Sequence, residues 1–352
     1  MTVQRTSAFA ATIVAENRRR GLTGTGSGMG RKTVTLAIIV VALLGLAFAL
    51  GPRVAADTSL TFDPTVIGPD PEAYLAAREA RVAGIRPGLQ KEIVWADPAD
   101  NAKTPIAIVY IHGFSASKGE MRPLPDRVAA ALHANLYYTR LTGHAQDGAA
   151  MAQGSVNAWV NDYAEAIAIG RALGDRVVVF GTSTGASLAT WASTEPELAR
   201  DVAALVMISP NYGLQAAGSS LLTLPWGAQL ARLLIGKERS FEPVNPMNAA
   251  LWTTRYPTSA LLPLAALTRL AADTPVETIR VPALFVFSDQ DKVVRADLTR
   301  AIAARWGAPH EIVAVERSDD PYSHVISGDA LSPSTTEALA ERIAAWIGKA
   351  VR

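Results

Sequence analysis

Arg176-Val-Val-Val-Phe-Gly-Thr-Ser-Thr-Gly185 joins a β-branched apolar run to a helical stretch that starts near Ala186. A strand that turns straight into a helix brings backbone against backbone. Glycine at 181 and 185 supplies the room that a Cβ would remove. Ser183 then sits at the apex of the turn, beside the free N–H groups of a helix N-terminus, where developing negative charge is stabilised. The competing reading is an ordinary Gly/Ser turn; the strand before it and the helix after it favour an exposed nucleophile.

Working outward, the same grammar repeats. Short apolar runs at Ile93–Trp95, Ile106–Ile111, Leu136–Thr139, Val177–Phe180, Ala204–Ile208, Leu284–Ser288 and Ile312–Val315 read as strands. Most are apolar throughout, as strands buried on both faces of a parallel sheet must be. Helical patterns lie between and after them, at Pro125–His133, Asn157–Leu173, Ala186–Ser193, Ala296–Trp306 and Ser334–Ala350. The predicted fold class is therefore α/β, a mostly parallel sheet with helices on both faces.

A serine nucleophile needs a base and an oxyanion site. Five histidines are available: His112, His133, His144, His310 and His324. His324 follows the last strand and precedes the last helix, at the sheet end where Ser183 also falls. His133 lies within a helix and His310 opens a strand, so both read as surface or packing residues. His112 closes an earlier strand, where an imidazole bracing the turn is favoured over a base. The acid is expected between Ser183 and His324 in chain order. Ser288-Asp-Gln-Asp-Lys-Val-Val294 offers Asp291, deeper in the loop, with Asp289 as its rival. Gly113 next to Phe114 allows the Phe114 N–H to aim at a carbonyl oxygen, with Thr184 N–H as second donor.

Residues 211–280 break the rhythm. They hold six prolines, Trp226, Trp252 and only ten charged residues, and show no good strand. A structureless loop of that length is improbable, so a helical insertion over one end of the sheet is expected. Residues 51–89 read as a linker with a short helix from Pro71 to Val82.

Thr33–Leu50 contains eighteen residues without a charge, enough to span a bilayer as a helix. Arg18, Arg19, Arg20, Arg31 and Lys32 precede it and only Arg53 follows closely, which predicts a cytoplasmic N-terminus and an exported or anchored remainder. Residues 1–32 read as an unstructured basic leader. Val54-Ala55-Ala56 resembles a cleavage site, the long leader favours an uncleaved anchor, and a start at Met29 would shorten that leader.

Composition narrows the rest. The 352 residues contain no cysteine, which excludes disulfides, a thiolate nucleophile and Cys-ligated metal centres. With 49% hydrophobic and 18% charged residues, disorder is excluded for most of the chain. The net charge of +1 divides unevenly: 1–56 hold seven Lys/Arg and one Glu, whereas 57–352 hold 26 basic and 31 acidic residues. An acidic domain behind a basic leader is no nucleic-acid binder. No metal or organic cofactor is expected, since neither an H-x-x-x-H pair nor a G-x-G-x-x-G after a strand is present.

His112-Gly-Phe114, Thr142-Gly-His-Ala145, Trp159 with Asp162, Gly181-Thr-Ser-Thr-Gly185, Asp289-Gln-Asp-Lys-Val-Val294 and Ser323-His-Val-Ile326 run in that order over residues 90–350. In this the chain resembles the α/β-hydrolase fold enzymes, in the branch of bacterial carboxylesterases and monoacylglycerol lipase-like hydrolases. The resemblance implies a core of 90–210 and 281–352 and a cap of 211–280. It implies Ser183 as nucleophile, Asp291 as acid, His324 as base, and Phe114 and Thr184 as oxyanion donors. The expected activity is hydrolysis of an acyl, lysophospholipid or monoacylglycerol ester, the partners being a small hydrophobic ester or lipid and a membrane. Acyl transfer, thioester or peptide cleavage, and a non-catalytic binding role are the rival readings.

Overall fold

The computed structural model describes residues 30–351, so most of the basic leader and the alternative start at Met29 lie outside the described residues. The chain forms two units, 1–51 and 52–352. Within the first, helix α1 (Arg31–Ala49) is 19 residues long and uncharged beyond its first two positions. At 1.5 Å per residue it spans about 28 Å, enough to cross a membrane by length and composition. Leu36, Ile38, Val41, Leu43 and Leu44 are exposed around it, so no single face is marked for a protein core.

The second unit opens with α2 (Pro71–Glu79), started by Asp70, whose side chain accepts from Ala73 N. Then follow β1 (Glu92–Val94), β2 (Thr104–Ile111), α3 (Leu124–Leu132), β3 (Asn135–Tyr138), α4 (Val156–Leu173), β4 (Gly174–Thr182), α5 (Thr184–Ala192), the short α6 (Pro196–Ala199) and β5 (Val202–Ile208). After the insertion come β8 (Ala283–Phe287), α10 (Ala296–Ala304), β9 (His310–Ala314) and α11 (Pro333–Ala350). These seven strands form one sheet in the order β1-β3-β2-β4-β5-β8-β9; β1 is antiparallel to β3 and every other pair is parallel.

Period-two alternation sorts the central strands into two cores. Val109, Val179, Leu205, Met207 and Phe285 face one way, under Trp159, Ile167 and Leu188 of the covering helices. Ile108, Tyr110, Phe180, Val206 and Leu284 face the other, under Val128, Ile343 and Trp346. Full burial of a side chain such as Phe180 or Phe285 stabilises by roughly 1.5–3 kcal/mol. Strands begin earlier than their apolar runs: β4 includes Gly174, Asp175 and Arg176, the last two exposed at the end remote from Ser183.

The insertion is not wholly helical. It holds α7 (Gly227–Leu234), β6 (Glu238–Ser240), α8 (Pro246–Leu251), β7 (Arg255–Pro257) and α9 (Leu261–Ala272). Where no strand was expected, β6 and β7 pair antiparallel as a separate two-stranded sheet. Each is three residues long, and Glu238, Arg239 and Ser240 are exposed, so no apolar alternation betrays them. The segment 211–280 also divides in two. Leu264, Ala266, Leu267 and Ala271 of α9 join the core under the sheet, while the parts before α9, with Leu261 and Leu264, line the cavity described next.

Candidate active site

Ser183 stands between the end of β4 and the start of α5 with φ 51° and ψ −109°, a region costly for a residue with a Cβ. The surroundings leave it little alternative. Ser183 N donates to Ile208 O (2.9 Å), and Ser183 O accepts from Ser187 N (3.0 Å). A Cβ on Gly185 would lie 2.1 Å from Ile111 O, and one on Gly181 2.7 Å from Ala186 N. Both glycines are thus required by backbone contact.

His324 lies in the loop between β9 and α11. Its Nδ1 is 2.7 Å from Asp291 Oδ2. Asp291 is buried, and its Oδ1 accepts from Val293 N (2.7 Å) and Val294 N (2.9 Å), which fixes the carboxylate. Asp289 points elsewhere, to an exposed ion pair with Arg300. Burial pushes the His324 imidazole down, but the Asp291 charge and hydrogen bond, with Asp320 and Glu120, outweigh it and leave the group above its ordinary value of 6.5.

Phe114 follows Gly113 at the end of β2, and Thr184 is the first residue of α5, where helix N–H groups lack an intrahelical acceptor. His112 braces this turn: its Nδ1 is 2.8 Å from Gly113 O and its Nε2 accepts from Leu141 N (3.0 Å). Burial lowers its pKa to about 4, so it is neutral. The Thr142-Gly-His-Ala145 segment is held alongside by Asp162, which accepts from Thr142 N (2.6 Å), and by Trp159 Nε1, which donates to Thr142 O.

Ser183, Thr184, Phe114 and His324 all line one cavity of about 730 Å³. Leu222, Leu230, Leu234, Phe241, Val244 and Trp252 supply apolar walls. Asp291 is not on the wall; it stands behind His324. The structure therefore assembles all five residues singled out from the sequence around one site. It also adds two that the sequence reading missed. Asp320 Oδ2 accepts from His324 N (3.0 Å) and Val325 N (2.9 Å), pinning the loop that presents the imidazole. Glu120 lines the floor. Neither carries a local motif; only the acidic pair Asp319-Asp320 before His324 hints at the first. Among the described residues, no group of three or more His, Asp or Glu is placed to hold a metal ion.

A model of the alpha/beta hydrolase family matches residues 108–330. The chain is 29% identical over 203 residues to the thermostable monoacylglycerol lipase of Bacillus sp. (strain H-257), covering 56% of this chain and 76% of that protein. Among solved structures it resembles one reported for LipS and LipT, two metagenome-derived lipolytic enzymes (TM-score 0.61, 22% identity, 75% of this chain and 99% of that one). It also resembles the Paleococcus ferrophilus monoacylglycerol lipase (TM-score 0.51, 15% identity, 74% and 99% covered). The structural likenesses speak to the fold.

Proposed function

The chain belongs to the alpha/beta hydrolase family, and on that premise we propose that it is a serine-dependent carboxylic-ester hydrolase acting on a lipid monoester of the monoacylglycerol or lysophospholipid type. The observation that carries the reading is the His324–Asp291 pair and the strained Ser183 turn around one largely apolar cavity. Ser183 Oγ attacks the ester carbonyl carbon while His324 Nε2 takes its proton. Asp291 fixes the tautomer, with the proton on Nδ1, and stabilises the imidazolium. The tetrahedral oxyanion is received by the Phe114 and Thr184 N–H groups. Collapse breaks the C–O bond, and the alcohol departs with the proton from His324. Water, deprotonated by the same imidazole, then attacks the acyl-enzyme and releases the acid and Ser183.

The cavity walls support the substrate class. An acyl chain is desolvated among Leu222, Leu230, Leu234 and Phe241, while the ester reaches the floor. The 29% identical lipase of Bacillus sp. supports a monoacylglycerol ester. On this reading α1 is a membrane anchor or signal helix and the hydrolase unit lies on the non-cytoplasmic side. Hydrolysis of an acyl-ester series, with Ser183→Ala as control, tests the activity; no turnover of any chain length, or full activity in the variant, would refute it.

A further inference from the structure

No step above uses Glu120, yet this carboxyl is 3% exposed and lies on the cavity floor beside Ser183. It ends the turn Lys118–Glu120 between β2 and α3. Its Oε1 accepts two hydrogen bonds, from Gly113 N (2.5 Å) and from Tyr110 Oη (2.7 Å). Tyr110 Oη also lies 3.2 Å from Thr182 Oγ1. One oxygen thereby joins the residue before Phe114 to the residue before Ser183. Those are the two turns that present the oxyanion donors.

Gly113 is the soft point between them, because glycine allows both its dihedrals to wander. The Gly113–Phe114 peptide carries the Phe114 N–H, and its carbonyl already meets His112 Nδ1. The preceding peptide is anchored to Glu120 through Gly113 N. The site is also close: a Cβ on Gly113 would lie 3.1 Å from Glu120 Oε2 and 3.3 Å from Ser183 Cβ, a tight fit that either side chain would have to yield to. Burial pushes the carboxyl up to about 7 against its hydrogen bonds, so it adds less than a full negative charge beside a developing oxyanion.

We propose that Glu120 is a positioning residue of the oxyanion site, locking Gly113 and, through Tyr110 and Thr182, the nucleophile turn, so that the Phe114 and Thr184 N–H groups converge on one point. This rests on the serine-hydrolase reading. Its test compares wild type, Glu120→Gln, Glu120→Leu and Tyr110→Phe on a soluble short-chain p-nitrophenyl ester and on a boronic-acid transition-state analogue. Glu120→Leu is expected to lose about 10–100-fold in kcat with KM changed less than about threefold, and to bind the boronic acid more weakly in proportion. Glu120→Gln keeps an oxygen acceptor and should stay within about threefold of wild type. Kcat within threefold in Glu120→Leu, equal impairment of both variants, or a loss confined to KM would overturn the proposal. If Glu120→Leu shows no cooperative melting transition, Tyr110→Phe decides: about a 3–10-fold loss in kcat supports the lock, and unchanged kcat overturns it. A wild type that neither hydrolyses esters nor reacts at Ser183 defeats the parent reading instead; an active wild type with an equally active Glu120→Leu defeats only this one.

Discussion

Asp291 Oδ2 stands 2.7 Å from His324 Nδ1, whereas Asp289, two residues earlier in the same loop, is turned outward to Arg300. The same chemistry two positions apart thus has two fates. Asp291→Asn should lower kcat by about 10⁴-fold by leaving the imidazole in the wrong tautomer. Asp289→Ala loses one exposed ion pair and should stay within about twofold of wild type. Steady-state kinetics of both variants check this, and comparable losses would mean that the acid is misassigned.

A pH profile follows from the same pair. His324 must be neutral to take the Ser183 proton, and its pKa lies above 6.5. The acid limb of kcat/KM should therefore have its midpoint above pH 6.5, activity falling tenfold per unit below it. Asp320 is one of the groups that raise the imidazole, so Asp320→Asn should move the midpoint down. A limb at or below 6.5 in wild type would contradict the assignment.

The nucleophile turn makes a prediction about stability. Gly185→Ala places a methyl 2.1 Å from Ile111 O, a backbone atom at the end of β2, which is paired on both sides by β3 and β4 and cannot swing away. Folding should weaken by more than about 3 kcal/mol. Gly348→Ala is the contrast: nothing lies within 4 Å of its added Cβ, and in helix α11 it should gain about 0.5–1 kcal/mol. Chemical denaturation of the two variants checks both signs.

The inner strands of the main sheet are legible because Ala107–Ile111, Val177–Phe180 and their like are buried on both faces, so burial appears as an unbroken apolar run, whereas the edge strands β1 and β9 are partly or largely exposed and show only short apolar runs. Ser183 is legible because its turn needs two glycines at fixed spacing. Glu120 and Asp320 are not, since their meaning comes from partners that the fold brings up: Gly113 and Tyr110 for one, His324 for the other. The β6–β7 pair is illegible for another reason, as its first strand, three solvated residues, has no periodicity to read. The role of α9 is hidden too. Its Leu264 and Leu267 would suit a cap or a core equally, and only packing under the sheet decides.

The exposed residues around α7 offer a test of how substrate arrives. Leu233 and Leu234 at the end of α7 are 79% and 69% exposed, and Trp226 before it is 40% exposed. Such a patch at the mouth of an apolar cavity suits a lipid surface. Leu233→Asp should slow hydrolysis of a long-chain monoacylglycerol in vesicles by about tenfold, from the lost transfer energy of one exposed leucine that does not line the cavity. A soluble short-chain ester should be turned over at the wild-type rate. Equal loss on both substrates would place the effect in the site and not at a surface.

Reaction with a fluorophosphonate followed by peptide mass mapping tests whether Ser183 is the nucleophile. Ser183 as nucleophile requires a single covalent adduct on Ser183, no adduct in Ser183→Ala, and a loss of ester hydrolysis of at least about 10⁴-fold in that variant. An unlabelled Ser183 with ester turnover persisting in Ser183→Ala would contradict it.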